Sequence, residues 1–384
     1  MIIKRTQANY VRKAASYYPT VTIVGPRQSG KTTLARALFP SHRYCNLEAE
    51  DVLAMARADP RAFLRQGRED LILDEVQRFP AILTYVQEMA DENRRKGQFV
   101  LTGSHQPELN AAVSESLAGR TGICELLPLS LAELRAAGAA VDRRDELLWT
   151  GFMPRHYADG VEPTALYRDY FHSYVQRDVR RLVNVRDLDT FIVFVRLLAG
   201  RVGQLLNRES LARDAGVSVP TVVNWLNVLE ASYVIYRLRP YYRNFGKRQT
   251  KACKIYFTET GLATYLVGVR EASQLYSHPL VGNLFENMVV MEALKSRLNR
   301  GLDPDLWFYR NASGSVEIDL LIEEGGRLYP REIKSSSTYS AHMGTHFGDI
   351  MSLSDGIERP LVVYAGRTQE RIAANFADTA AWCV

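Results

Sequence analysis

Cysteine is scarce in this sequence. Its four residues, Cys45, Cys124, Cys253 and Cys383, are far apart and form no CxxC or Cys/His cluster. A zinc site and a disulfide framework are therefore excluded as the basis of the fold. Free thiols in a reducing compartment are the simpler reading. Long apolar runs are missing too. A stretch such as 191–195 ends at Arg196, far short of the ~20 residues that span a bilayer, so no membrane partner is expected. The N-terminus, MIIKRTQANYVRKAASYY, is charged and lacks the apolar core of a secretory signal. A cytoplasmic location follows as the expectation. No internal repeat or low-complexity tract occurs. No charge of one sign dominates, with 48 Lys and Arg against 43 Asp and Glu. A net charge this small implies nothing about nucleic acid until its location is known.

What is present has the balance of a folded chain. Hydrophobic residues make up 46% and charged residues 24% of 384 positions, which excludes disorder and suits two or three domains. Texture changes near residues 160 and 270, giving expected domains at 1–160, 161–270 and 271–384. In the first, VTIVG (21–25), LILDE (71–75) and QFVLTGS (98–104) read as buried strands, with helical patterns at 32–39 and 82–96 between them. Buried strands alternating with helices imply a parallel sheet covered on both faces. The middle reads as mostly helical. The last part returns to mixed α and β, with a long amphipathic helix expected over 280–298 and strands at DLWFYR, VEIDLLIEE, RLYPREIK and PLVVYAG.

The sharpest motif is Gly25-Pro26-Arg27-Gln28-Ser29-Gly30-Lys31-Thr32, which fits GxxxxGK[ST] between a strand and a helix. The glycines let backbone N–H groups approach phosphates, and the helix N-terminus favours their charge. Lys31 is the expected counter-ion of the β and γ phosphates. Thr32 is the expected Mg²⁺ ligand, and Thr33 completes the binding set. LILDE places two carboxylates at the end of a parallel strand, where open α/β sheets bind ligands. Asp74 is the expected Mg²⁺ partner and Glu75 the expected general base. The third strand ends in Thr102, Ser104, His105 and Gln106. Ser104 is the candidate to orient water against the γ-phosphate, with a satisfied turn residue as the alternative. Arg120 is either an arginine finger for a neighbouring subunit or a solvated side chain.

GPRQSGKTT, LILDE, LTGSHQ and SLAGR, followed by GFMPRHY at 151–157, together resemble a prokaryotic AAA-type P-loop ATPase family. Its ATPase is joined to a C-terminal domain long of unknown function and related to PD-(D/E)xK nucleases. The resemblance covers nearly the whole chain. Its members carry a Gly-Gly or Gly-Phe/Tyr-Pro turn where this chain has Gly151-Phe152-Met153-Pro154. The resemblance implies an α/β fold: a P-loop NTPase parallel sheet, a helical and winged-helix middle region, and a PD-(D/E)xK-like α/β domain. It also implies ATP and Mg²⁺ as ligands and a homo-oligomer as the assembly.

Two further constellations stand out. Residues 207–240 read as a helix-turn-helix, with Ser218 as N-cap, Pro220 in the first turn and Val222, Val223, Leu226 and Leu229 on one buried face. A two-strand wing follows, carrying Arg237, Arg239, Arg243, Lys247, Arg248, Lys251 and Lys254 with interleaved tyrosines. Such a wing suits DNA or RNA phosphates and unpaired bases. Its alternative is domain packing. The Arg-rich run at 168–185 includes Asp169 and Asp178 and reads as a salt-bridged face. In the last domain, Asp319, Glu332 and Lys334 match a D-x(n)-ExK core, with Glu286 as a further carboxylate. Asp319 and Glu332 would share a divalent cation, and Lys334 would act on phosphate and hydroxide. A salt-bridged structural cluster is the alternative. An ATPase driving a nucleic-acid arm is the first functional expectation. A slow nucleotide-gated assembly switch and an ATP-controlled metal-dependent nuclease are its rivals.

Overall fold

The computed structural model describes residues 3–66, 70–104, 113, 115–173, 188–241, 252–352, 356–369 and 371–383. Five strands build the first sheet: β1 (Thr20–Gly25), β2 (Arg43–Asn46), β3 (Leu71–Asp74), β4 (Phe99–Ser104) and β5 (Thr121–Glu125), in the order β2-β3-β4-β1-β5. All neighbours are parallel. β1, β3 and β4 are the three strands expected from their apolar runs. β2 and β5 lie at the sheet edges, where half-exposed positions such as Tyr44 and Ile123 blur the apolar pattern. Alternate residues face opposite sides. Ile72 and Val100 pack with Val11, Leu34 and Ala35 from the helices Ala8–Tyr17 and Lys31–Leu38. Leu71, Leu73, Phe99 and Leu101 pack with Leu83 and Val86 of the helix Ile82–Asn93.

Strand β4 lies between the strand that feeds the glycine-rich loop and the strand that ends in Asp74. Its register pairs Gly25 with Ser104 and Leu73 with Leu101. Three polar strand ends therefore converge at one edge of the sheet.

The middle of the chain is helical. The helices Arg208–Ala215 and Val219–Ala231 form the expected pair, with Gly216 between them and the Ser218 hydroxyl accepting from the Thr221 N–H at 3.3 Å. The buried face differs in detail. Val223 is half-buried, and Trp225 and Val228 are buried beside Val222, Leu226 and Leu229. Trp225 meets the rings of Phe191 and Phe194 at centroid distances of 5.2 and 4.9 Å.

The second sheet has seven strands in the order β12-β11-β10-β9-β8-β6-β7. They are β6 (Ile235–Pro240), β7 (Lys254–Phe257), β8 (Leu306–Arg310), β9 (Glu317–Glu324), β10 (Arg327–Lys334), β11 (Leu361–Tyr364) and β12 (Ala373–Asn375). β6 and β7 pair antiparallel, as a wing would. β6 also pairs in parallel with β8, so the sheet crosses the boundary expected near 270. One hydrophobic cluster runs from Leu127 to Trp382 and unites the helical middle with this α/β domain.

The helix Val281–Arg300 is not amphipathic, as its sequence suggested. It is buried around most of its surface, including Asn287, Glu292, Lys295, Arg297 and Asn299. It touches β5 of the first sheet and β7, β9 and β10 of the second. Asn287, Glu292 and Lys295 among them find hydrogen-bond partners inside the protein, as burial requires. Asn287, for example, pairs with both the N–H and the C=O of Phe257.

The turn 151–153 links the two bodies. Gly151 adopts φ 61° and ψ −155°, a region that essentially only glycine enters. A Cβ there would lie 2.0 Å from the Tyr167 hydroxyl and 2.1 Å from Glu259 Oε1. Gly151→Ala should lower unfolding stability by roughly 1–3 kcal/mol from backbone strain, with further loss from the displaced Tyr167–Glu259 hydrogen bond. Urea unfolding of the two proteins tests this, and equal midpoints and slopes would refute it.

Candidate functional site

The glycine-rich loop occupies the end of β1 and opens into the helix Lys31–Leu38. A Cβ on Gly25 would sit 2.2 Å from the Leu126 carbonyl oxygen, so the tight approach of the loop to β5 demands glycine. Gln28 adopts a left-handed φ of 63°. Such strain in a non-glycine residue persists only where the surroundings impose it. The Lys31 ammonium folds back onto the carbonyl oxygens of Gly25 and Pro26, at 3.1 and 2.8 Å. These are weak substitutes for phosphate oxygens. Burial pushes Lys31 down to about 8, against the opposing pull of Glu75 and Asp74.

Asp74 is held by three hydroxyls. It accepts from Thr32 at 2.9 Å, from Tyr44 at 2.6 Å and from Thr102. The carboxylate therefore has a fixed orientation beside the Thr32 hydroxyl. Two hard oxygen ligands at the mouth of a phosphate loop fit Mg²⁺, which binds through one or two protein oxygens together with phosphates. Glu75 follows in a left-handed conformation with φ 58°, and Gln77 donates to its side chain. Burial raises its carboxyl above the ordinary value, and Lys31 only partly offsets this. Ser104 is buried at the end of β4, and its hydroxyl has no partner among the described residues. The Ser29 hydroxyl is in the same state. His105 and Gln106 lie outside the described residues.

The loop and Glu75 open into a cleft of about 970 Å³ that contains Arg27, Gln28, Gly30, Lys31, Thr32, Thr33 and Glu75, with Asp74 buried behind Thr32. Its far walls come from the N-terminal segment, with Ile3, Arg5 and Ala8, and from the helix Pro154–Asp159, with Arg155 and Ala158. The GFMPRHY motif thus supplies a wall of the cleft. Phe152 and Met153 are buried anchors, so the Met of this chain fills the core and leaves the wall to Pro154 and Arg155. Sequence reasoning missed Arg5. Its guanidinium donates to the Ser29 carbonyl at 2.6 Å, to the Leu127 carbonyl at 2.6 Å and to Glu133 at 3.1 Å. No spacing rule marks such a residue. Tyr44 was missed for the same reason.

An AAA domain family matches residues 17–135, and two domains of unknown function match residues 141–273 (DUF8612) and 281–382 (DUF4143). The uncharacterized protein Rv2008c of Mycobacterium tuberculosis is 34% identical over 345 residues, spanning 88% of this chain and 76% of that protein. This chain belongs to the Rv2008c family. A second uncharacterized protein, from Haemophilus influenzae, is 26% identical over 244 residues, 60% of this chain and 57% of its own length. Among solved structures, the Walker-type ATPase PABY2304 of Pyrococcus abyssi aligns over 69% of this chain and 96% of its own, at 16% identity and a TM-score of 0.47. In the present member, the AAA domain contains both the glycine-rich loop and the Asp74–Glu75 strand end.

Other expected site residues fall elsewhere. Arg120 precedes β5, and its carbonyl accepts from Thr20 N–H at the start of β1. It therefore sits at the opposite end of the sheet from its own phosphate loop. There it makes an exposed two-pronged pair with Asp91, at 2.6 and 2.9 Å. Of the basic wing, Arg243, Lys247, Arg248 and Lys251 lie outside the described residues. Arg239 is exposed. Arg237 is neutralised by Glu230 at 2.7 Å. Tyr241 packs against Trp307, with ring centroids 6.4 Å apart. Lys254 does not belong to the wing surface, because it points into the protein and is only 3% exposed.

Lys254 meets the C-terminal constellation. The β9–β10 register pairs Arg331 with Leu320, and the next step sets Glu332 opposite Asp319. The Ile333 N–H donates to Asp319 at 2.8 Å, and Lys334 reaches Glu332 at 3.0 Å and Asp319 at 3.5 Å. Glu286 joins them from the helix Val281–Arg300. The four expected residues therefore do come together. The space between the carboxylates is taken by the Lys254 ammonium, 3.0 Å from Glu286, 2.8 Å from Glu317 and 3.8 Å from Asp319. A divalent cation does not fit among them as they stand. Among the described residues no His, Cys, Asp and Glu cluster is arranged to hold a metal ion.

The lowered Lys31 makes nucleotide affinity pH-dependent. The ammonium is charged below about 8 and neutral above it, and phosphate needs the charged form. ATP affinity should fall about tenfold from pH 7 to pH 9, following the protonated fraction of the free protein. Titration with a fluorescent nucleotide measures it. Constant affinity across that window would show that Lys31 keeps its proton.

Proposed function

We propose that this chain is an Mg²⁺-dependent ATPase whose nucleotide state moves its C-terminal α/β body. The observation that carries the reading is that the loop and the half-buried Glu75 line one cleft, whose Thr32 is hydrogen-bonded to the triply held Asp74. Loop N–H groups and Lys31 bind the β and γ phosphates, Lys31 exchanging the Gly25 and Pro26 carbonyls for phosphate oxygens. Thr32 and Asp74 would hold Mg²⁺, which supplies positive charge against the phosphates when bound. Glu75 accepts the proton of the attacking water at its carboxylate. The water oxygen bonds to the γ-phosphorus, the bond to the bridging oxygen breaks, and ADP and phosphate leave. The Ser104 hydroxyl orients the water or the γ-phosphate. The apolar wall of Ile3, Ala8, Pro154 and Ala158 accepts the base.

Coupling to the C-terminal body runs through hydrogen bonds. Arg5 ties the Ser29 carbonyl to Glu133, which forms a capping box with Ser130. Next to it, the Leu131 N–H donates to Glu292 at 2.7 Å, and Lys295 donates to the Leu129 carbonyl at 2.8 Å. Both side chains belong to the helix that carries Glu286. The body so moved carries the exposed Arg239, and this side chain, together with the basic residues that follow in the sequence outside the described residues, suits DNA or RNA phosphates. Arg120, remote from its own loop, serves a neighbouring copy in a homo-oligomer.

Three variants test this. Lys31→Ala should abolish ATP binding. Glu75→Gln should bind ATP normally and lower turnover by about 10²-fold or more, the scale of a lost general base. Wild-type turnover in that variant would remove Glu75 as the base. Arg120→Ala should lower turnover while leaving single-chain ATP affinity unchanged. Turnover per chain should also rise with protein concentration in the wild type alone. Turnover that is independent of both would reject the neighbouring-copy role. Negligible turnover in the wild type, with ATP still changing the particle mass, would favour the slow assembly switch.

A further inference from the structure

The sequence of the D-x(n)-ExK constellation allows either a shared cation or a salt-bridged cluster, and shows no role for Lys254 in it. Such a site ordinarily draws a divalent ion between carboxylates on a helix and two strands. Here that position already holds a positive charge. We propose that the Lys254 ammonium is a built-in cation that replaces the divalent ion between Glu286, Glu317 and Asp319, leaving a C-terminal site that binds no metal and does not cleave phosphodiesters.

Three observations carry this. The first is position: Lys254 Nζ contacts carboxylates from the helix Val281–Arg300 and from β9 at 2.8–3.8 Å, among them Glu286 and Asp319 of the expected metal set, while the third expected carboxylate, Glu332, is held by Lys334 at 3.0 Å. The second is tethering. Lys254 is the first residue of β7, is paired across to Leu238, and bridges to Leu205 on its other side. A side chain fixed in this way competes as an intramolecular ligand against millimolar ions in solution. Its displacement would leave an ammonium buried without its partners, which is strongly unfavourable. The third is charge balance. Arg310 pairs with Glu317 at 3.2 Å and Lys334 with Glu332 at 3.0 Å. Four carboxylates therefore face three cations. The ion pairs leave a single uncompensated carboxylate charge without any ion from solution. Tyr256 completes it by donating to Glu286 at 2.6 Å, taking a lone pair that a metal would need.

The cluster needs no nucleotide, so its test is independent of the ATPase reading. Mn²⁺ is titrated into the full chain without ATP, followed by electron paramagnetic resonance. Only ions removed by Asp319→Asn are counted, which sets aside any held at Thr32 and Asp74. The wild type and Lys254→Arg should hold none. Lys254→Met should hold one ion per chain, and Mn²⁺ should raise its melting temperature, because the ion restores the missing charge. If Lys254→Met does not fold, Lys254→Met with Glu317→Gln removes one unpaired carboxylate and serves in its place. An Asp319-dependent Mn²⁺ in the wild type overturns the proposal. So does a folded Lys254→Met chain that holds none, since the carboxylates would then not form a cation site at all. Wild-type absence together with an ion gained in either Met variant supports it.

Discussion

The buried pair of Glu292 and Lys295 is the interaction on which the joining of the two halves depends. Both side chains are 1% exposed and 2.7 Å apart. Removing two charges from water costs several kcal/mol per ion, so such a pair survives only when its remaining hydrogen-bonding capacity is satisfied. Here the segment that leaves the first sheet satisfies it. Glu292 accepts from Leu131 N–H, Lys295 donates to the Leu129 carbonyl, and the ammonium lies 3.8 Å from the centre of the Phe152 ring. The pair cannot be buried without that segment. The segment in turn would leave backbone groups unpaired without the helix. Folding of the ATPase domain and docking of the C-terminal helix are thereby linked.

The same logic orders the cleft. Gly151 turns the chain sharply after the helix Arg144–Thr150, and Glu259 accepts from Phe152 N–H at 2.8 Å and from Tyr167 at 2.9 Å. This turn aims the helix Pro154–Asp159 at the phosphate loop. Opposite it, Arg5 fixes the N-terminal segment to the loop itself. The nucleotide site is therefore bounded on two sides by elements outside the sheet, and both reach the Glu292–Lys295 pair within a few hydrogen bonds. Two of the six left-handed non-glycine residues among those described, Gln28 and Glu75, lie at the same place. Strained backbone at a ligand site is held by surrounding packing and can relax when the ligand arrives.

The C-terminal cluster follows a different principle. Opposite charges from five elements pair with one another around the buried Lys254, with Arg310, Glu317 and Lys334 partly exposed at the rim. Asp319 stays below its ordinary value although burial opposes this, because Lys254, Lys334 and the Ile333 N–H all favour the charged form. Fixed ammonium and guanidinium groups supply the positive charge that an ion would bring from outside. That makes the cluster a structural joint between β7, β9, β10 and the helix Val281–Arg300.

The glycine-rich loop, the Asp74–Glu75 strand end and the β9–β10 hairpin were legible in the sequence, because each is local. Their chemistry resides in residues a few positions apart, whose strand or helix periodicity sets which way they point. Ser218 as a helix cap was legible for the same reason. Tertiary structure decided everything that depends on distant segments meeting. Tyr44 and Thr102 reach Asp74 from separate strands, Arg5 reaches the loop from the N-terminus, and Lys254 crosses from an expected basic surface into an acidic interior. The helix Val281–Arg300 looked amphipathic because its charged residues had no visible partners in sequence. In the folded protein those partners approach from both sheets, and burial becomes affordable only once they are there.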